Sequence, residues 1–384
     1  MKSSPSTISA RNSESRFGIL VLGGAGVFGS RICRRLARDP LLRVIAAGRS
    51  APALERLAGE SGIEYRVVNV PAGLAGALAE TGARLVIHTA GPFQGQDYSV
   101  AEAAIAAGVH YIDISDGRAF VCGFAALDAR AREAGVLAVS GASSVPALSA
   151  AVIDDGRGRL SQLTGIAIGI SPGNRAPRGP AVIEAILSYA GRPFPSWRNG
   201  AWRPIHGWQD LRRVRIDDLG QRWFSACDVP DLSLFPERYP GVATVRFHAG
   251  LELGTLHLGF WVLSWLVRAG LVESLLPLAG LAGWIGGVTD WLGSDRGGMY
   301  VHLDGTDAAP RPIRRAWHLV AESGDGPYIP GTPAAILARK LAQGTLTVRG
   351  ALPCLGLFTL AEFSAEISDL AIRVGWGEET QSRS

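Results

Sequence analysis

The feature that most constrains this chain is Phe17-Gly-Ile-Leu-Val-Leu-Gly-Gly-Ala-Gly-Val-Phe-Gly29, followed twenty residues later by Arg49-Ser50. Phe17–Leu22 is a short, almost wholly apolar run, as expected of a strand buried on both faces. It leads straight into Gly23-x-x-Gly26-x-x-Gly29, after which helical periodicity begins. The first glycine of such a turn permits a tight reversal, and the second lets backbone approach a pyrophosphate. The third lets the helix lie close to the strand, while free N–H groups at the helix start face the phosphates. The pattern predicts a dinucleotide site, with Gly23, Gly24, Ala25, Gly26, Val27, Phe28 and Gly29 as the pyrophosphate turn.

A second strand, Val44–Ala47, ends at Gly48-Arg49-Ser50. Folds that take NAD usually carry Asp or Glu here to accept hydrogen bonds from the ribose 2′-hydroxyl. Arg49 instead offers a guanidinium whose planar fork fits a 2′-phosphate, where a carboxylate would repel it. The expected cofactor is NADP(H), bound through Arg49 and Ser50; the plainer alternative is a solvated arginine at a strand end.

Composition narrows the class. The chain has 384 residues, 47% hydrophobic and 19% charged, with a net charge of +4, enough apolar content for two packed domains. Of its 38 basic residues only Lys2 and Lys340 are lysines, and Arg212, Arg213, Arg215 and Arg222 are interleaved with Asp210, Asp217 and Asp218. That cluster reads as a solvated face, so no nucleic-acid partner is expected. Cys33, Cys122, Cys227 and Cys354 are scattered, and the seven histidines lack metal spacing. Neither a disulfide framework nor a metal site is expected, and a reducing, cytoplasmic setting follows. Met1–Ser15 is polar and serine-rich, which reads as a disordered tail and not a secretory signal.

Residues 16–155 alternate strand and helix. Strands are predicted at Phe17–Leu22, Val44–Ala47, Tyr65–Val70, Leu85–Thr89, Tyr111–Ile114 and Val136–Ser140, and helices at Val27–Arg38, Ser99–Ala107 and Ala125–Ala134. Six strands with crossover helices make a doubly wound parallel α/β sheet of Rossmann type. From 156 to 330 the pattern turns to a mixed α+β domain expected to carry substrate and dimer contacts. It has a helix near 180–190 and strand-like segments at 241–247, 299–303 and 316–321. Residues 331–384 are expected to return toward the first domain with a helix at Thr332–Gln343.

Leu251–Leu292 stands apart. It contains two long apolar runs with Trp261, Trp265, Trp284 and Trp291, split by Arg268 and Glu273. Neither run reaches the ~20 uninterrupted apolar residues of a membrane span. Three readings stay open: a buried helical pair or homodimer interface, a hairpin lying peripherally on a membrane, and the lining of a pocket for a lipid-like substrate.

Gly23-Gly-Ala-Gly-Val-Phe-Gly29, Ala90-Gly-Pro-Phe93, Ala106-Ala-Gly-Val-His-Tyr-Ile-Asp113 and Ser143-Ser-Val-Pro146 together resemble the saccharopine dehydrogenase-like oxidoreductase family over most of the chain. The resemblance implies an NADP-binding Rossmann domain, a separate substrate and dimer domain, and hydride transfer to or from nicotinamide. Members act on amino-acid-derived imines, and two branches look like trans-acting enoyl reductases and lipid-associated proteins; the apolar segment is similar to those two. Two departures stand out. Family members often continue the fifth-strand motif as Asp-x-x-Gly-Glu, where this chain has Asp113-Ile-Ser-Asp116-Gly117-Arg118. They also often carry Asp where this chain has Ser143.

Ligands of doubly wound sheets sit beyond the carboxyl ends of the strands. That adds Asn69 and the turn Thr89-Ala90-Gly91-Pro92-Phe93 to the cofactor set, the turn lying where the resemblance puts the nicotinamide ribose. Proton-donor candidates are Asp113, Asp116, His110 and Tyr111, with His110 at the wrong end of its strand. Substrate candidates are Asp116, Ser143, Arg175 and Arg178. The leading expectation is an NADP-dependent reductase of a C=C or C=N bond in a bulky or lipophilic small molecule. The alternatives are an opine- or saccharopine-type dehydrogenase, with Arg175 or Arg178 clamping carboxylates, and a non-catalytic NADP-binding scaffold that docks on membranes.

Overall fold

The computed structural model describes residues 16–177, 180–377 and 380–381. The expected tail at 1–15 and the substrate candidate Arg178 lie outside them. The first half is built from β1 (Phe17–Leu22), α1 (Val27–Leu36), β2 (Leu42–Gly48), α2 (Ala51–Ser61), β3 (Glu64–Val67), α3 (Leu74–Thr81), β4 (Leu85–His88), α4 (Ser99–Ala106), β5 (His110–Asp113), α5 (Arg118–Gly123), α6 (Asp128–Glu133) and β6 (Leu137–Ser140). The four residues of β4 and of β6, and all six of β1, are buried, as strands this largely apolar require. On α1 the stripe Ile32, Cys33 and Leu36 faces the sheet.

The second half runs α7 (Ser149–Arg157), β7 (Gln162–Ser171), α8 (Pro180–Tyr189), β8 (Pro193–Arg198), β9 (Ala201–His206), β10 (Arg212–Ile216), β11 (Gly220–Ala226), α9 (Asp231–Arg238), β12 (Thr244–Ala249), α10 (Gly254–Arg268), α11 (Ala279–Thr289), β13 (Gly297–Thr306) and β14 (Pro312–Ala321). The chain closes with α12 (Thr332–Ala342), β15 (Gly350–Pro353), α13 (Leu360–Glu366), β16 (Ile372–Trp376) and β17 (Thr380–Gln381).

The first sheet has the order β15-β6-β5-β4-β1-β2-β3, and every pairing in it is parallel. It therefore has seven strands where six were expected; the seventh comes from the C-terminal stretch, with Gly350 to Pro353 registered on Leu137 to Ser140. The mixed second sheet has the order β10-β11-β12-β7-β13-β14-β16, with β17 beside β14, and β8–β9 form a separate hairpin. The architecture is α/β of Rossmann type with a second α+β domain.

Three expectations need correction. Ala125–Ala134 is not one helix: a 3₁₀ turn at Phe124–Leu127 precedes α6. Arg222 does not belong to a solvated face. It is 7% exposed and donates to Ser171 and to the Arg296 carbonyl, beside Glu252. The segment 251–292 is no buried helical pair, because α11 buries none of its residues within the chain. Among the described residues no helix is long and apolar enough to cross a membrane.

Candidate functional site

The turn after β1 is held by its own geometry. Gly23 sits at φ +74°, a conformation open mainly to glycine. A Cβ on Gly29 would lie 2.2 Å from the Gly23 carbonyl and 2.7 Å from Thr89 Oγ1, so only glycine lets α1 start this close to the strand. Thr89 Oγ1 donates to the Leu22 carbonyl at 2.8 Å, which ties the β4 turn to the β1 turn. Gly26 is exposed, stands at the N-cap of α1 and provides no side-chain cap. The first N–H groups of that helix are thus left without an intrahelical acceptor. A glycine cradle under an uncapped helix start fits a pyrophosphate.

The other cofactor candidates gather at the same edge. Arg49 and Ser50 are exposed at the end of β2, and no described residue forms an ion pair with Arg49. Asn69 is exposed beyond β3, its carbonyl accepting from Gly73 N–H. In the Thr89–Phe93 turn, Gln96 Nε2 donates to the carbonyls of Ala90 (3.0 Å) and Pro92 (2.6 Å). Phe93 is buried with its ring centroid 5.0 Å from that of His88. Sequence reading missed both Gln96 and His88.

The proton-donor candidates separate. His110 lies at the opposite end of β5, its Nδ1 accepting from Leu137 N–H at 2.9 Å. Burial, reinforced by Arg349 and Arg84, pushes its imidazole down to about 4. Tyr111 is fully buried, with its hydroxyl 3.0 Å from His88 Nδ1 and its ring stacked on Phe124. Asp113 is fully buried too: Oδ1 accepts from Ser115 N–H (2.9 Å), Ser140 Oγ (3.0 Å) and Gly141 N–H (2.8 Å). Burial drives this carboxyl up to about 6, against those donors. It fastens the β5 turn to the β6 turn and does not face a cleft. Asp116 alone of the four is exposed, accepting from Gln94 Nε2 at 3.2 Å.

Across from Asp116 the second domain contributes groups that no local sequence pattern pairs. The Tyr189 hydroxyl lies 2.8 Å from Cys227 Sγ. Burial, then Cys227, Asp116 and Asp228, push the phenol up, and burial likewise raises the Cys227 thiol. Arg118 bridges the domains. It donates to Ser233 Oγ (2.7 Å), the Pro195 carbonyl (2.7 Å) and Asp228 Oδ1 (2.8 Å). Deeper in, Ser149 Oγ donates to Asp231 Oδ1 at 2.5 Å, and burial raises the Asp231 carboxyl to about 7.

Two substrate candidates lie elsewhere. Ser143 is buried beneath the turn after β6. Arg175 donates to the carbonyls of Asp290 and Trp291 and anchors the loop after α11.

A seven-stranded parallel sheet in 3-2-1-4-5-6 order with this glycine cradle defines a nicotinamide-dinucleotide-binding domain, here facing a second domain. Residues 19–139 match the family described as the saccharopine dehydrogenase NADP binding domain. That match spans the nucleotide-binding half of the chain, which is therefore an NADP-binding domain of the saccharopine dehydrogenase type. Among solved structures, apo saccharopine dehydrogenase (L-Glu forming) from Saccharomyces cerevisiae is similar at 14% identity and TM-score 0.64, over 94% of this chain and 100% of that one. Homospermidine synthase from Legionella pneumophila, solved with NAD, is similar at 9% identity and TM-score 0.55, over 96% and 93%. At these identities the likeness concerns the fold. No curated protein sequence matches the chain.

Proposed function

We propose that this protein is an NADPH-dependent reductase acting on a C=C or C=N bond of a bulky or lipophilic small molecule held between the two domains. The observation that carries the reading is convergence. The glycine cradle, the exposed Arg49 and the Gln96-braced Thr89–Phe93 turn share one edge of the parallel sheet, and Asp116 next to them faces the Tyr189–Cys227 pair. When bound there, NADPH supplies hydride. The chain's part is to cradle the pyrophosphate at Gly23–Gly29, to meet the 2′-phosphate with Arg49, and to enclose the substrate under Tyr189. A neutral C=C or C=N bond also needs a proton after hydride transfer, whereas an iminium arrives already protonated; the Tyr189 hydroxyl, kept protonated by burial and by neighbouring carboxylates, serves there as a hydrogen-bond donor that orients the substrate.

One observation favours the C=N form. Asp116 and Asp228 both act on the Tyr189 hydroxyl; Asp228 is balanced by Arg118, and Asp116, which forms no ion pair with a described residue, suits a cationic iminium better than a carboxylate. Of the two arginines offered for the opine-type alternative, Arg175 is engaged elsewhere and Arg178 lies outside the described residues.

The test is NADPH deuterated at C4, incubated with the protein and a cell metabolite and lipid extract. Deuterium in a new product, read by mass spectrometry, identifies the substrate and supports the reading. Tight cofactor binding with no deuterium transfer from any fraction supports the non-catalytic scaffold.

A further inference from the structure

A helix on an aqueous surface normally turns its apolar side inward. α10 packs Phe260, Trp261 and Val267 inward but carries a second apolar side that faces out. The residues it buries fully are His257 and Ser264, while Val262, Leu263, Trp265 and Leu266 are exposed. α11 adds Leu281, Trp284 and Val288 to the same exposed set. Among the described residues, 12 of the 17 exposed large apolar side chains fall between Val262 and Leu292. Trp291 is 74%, Leu271 72% and Trp284 65% exposed. Contiguous apolar surface of this kind marks a contact.

Charge shows what kind of contact. Two hollows run beside α10 and share His206 and Arg268; one adds Arg192 and Glu273, the other Arg203 and the faces of Trp261 and Trp265. Arg268 lies 4.6 Å from the Trp265 ring centroid and donates to Gln209 Oε1. Arg192 donates to the Glu273 carbonyl, while Arg198, in the second hollow, is paired with Asp210 at 3.1 Å. No described carboxylate forms an ion pair with Arg192, Arg203 or Arg268. Burial, then Arg268, push the His206 imidazole down, so the arginines carry the positive charge of the groove. Within 262–292 the only carboxylates are Glu273 and Asp290.

We propose that the α10–α11 face docks on an anionic lipid bilayer. Trp284 and Trp291 lie in the headgroup layer, and Arg192, Arg203 and Arg268 meet lipid phosphates. A second copy of the chain would bring the same surplus of arginine, whereas an anionic bilayer supplies the missing charge. The helices are too short to span, so docking is in the plane of the interface.

The experiment is flotation of the full chain with vesicles of phosphatidylcholine alone and of an equimolar phosphatidylcholine–phosphatidylglycerol mixture, alongside light scattering without lipid. The expected result is a monomer that floats with the anionic vesicles, weakened by added salt. Arg192→Gln and Arg203→Gln should each reduce partitioning about fivefold. Trp284→Ala with Trp291→Ala should abolish flotation while NADPH affinity stays at the wild-type value, which shows that the variant is folded. Failure to float with anionic vesicles, or equal flotation with neutral ones, overturns the proposal. So does a lipid-free dimer that the tryptophan variant converts to monomer, because a second copy then covers the face.

Discussion

Arg118→Ala tests whether one guanidinium holds the two domains in register. The side chain is 10% exposed and makes three hydrogen bonds into the second domain, one of them an ion pair to Asp228, which is 27% exposed. Hydrogen bonds to a charged group are worth about 1.5–3 kcal/mol each, and removing one partner of a buried pair costs about 3–5 kcal/mol. Asp228 retains some solvent contact, so water recovers part of the loss and ~3 kcal/mol is expected. Burial already holds the Asp228 carboxyl above the usual range, and Arg118 draws it back down. Without Arg118 that burial is unopposed, and Asp228 takes up a proton at higher pH. Because two domains need not unfold together, the readout is hydrogen exchange resolved by segment. Amides of 193–206 and 231–238 should lose protection, while those of β1 and β4 keep theirs. A double-mutant cycle with Asp228→Asn should give a coupling of ~1 kcal/mol or more. Wild-type exchange in both second-domain segments, together with no coupling, would refute the reasoning.

Arg49→Asp should weaken NADPH binding by ~2–3 kcal/mol, since a charge-assisted pair is replaced by repulsion; calorimetry with NADPH and NADH checks it, and equal loss for both cofactors shows that Arg49 does not meet the 2′-phosphate. Gly26→Val should abolish cofactor binding in a folded protein, because its Cβ already sits 3.1 Å from the Gly23 carbonyl and the branches would fill the cradle; unchanged cofactor titration would mean that the phosphate turn lies elsewhere. Asp113 and Asp231 have folded-state values near 6 and 7, above their unfolded value, so the native state binds the extra proton and stability declines as pH rises from about 4 to 7. Asp231→Asn should flatten that decline, by of order 2–4 kcal/mol across the window, in urea titrations at stepped pH; an unaltered slope would discount Asp231.

The parallel sheet was legible because strands covered on both faces are largely apolar runs, as in β1, β2, β4 and β6, spaced by helical segments between Phe17 and Ser140. The cradle was legible because steric limits at Gly23 and Gly29 leave no other residue type. β15 was not, since Gly-Ala-Leu-Pro carries no sign of its partner; only the open edge of β6 selects it. Nor does the helical pattern of α1 show that Arg35 pairs with Glu366 and Asp369 from the end of the chain. The Tyr189–Cys227 and Arg118–Asp228 pairs join residues 38 and 110 positions apart. No local periodicity encodes such meetings.

The β6–β15 pairing also governs how the protein can be made. The edge of the nucleotide-binding sheet waits for a strand more than 200 residues further along. At ribosomal speeds of 5–20 residues per second that is roughly ten to forty seconds. Throughout that interval β6 offers unpaired N–H and C=O groups to any passing strand. An excised fragment ending near residue 155 would keep that edge open permanently. Splitting the gene at the domain boundary should therefore give aggregates instead of a cofactor-binding module, which size-exclusion chromatography of the fragment checks.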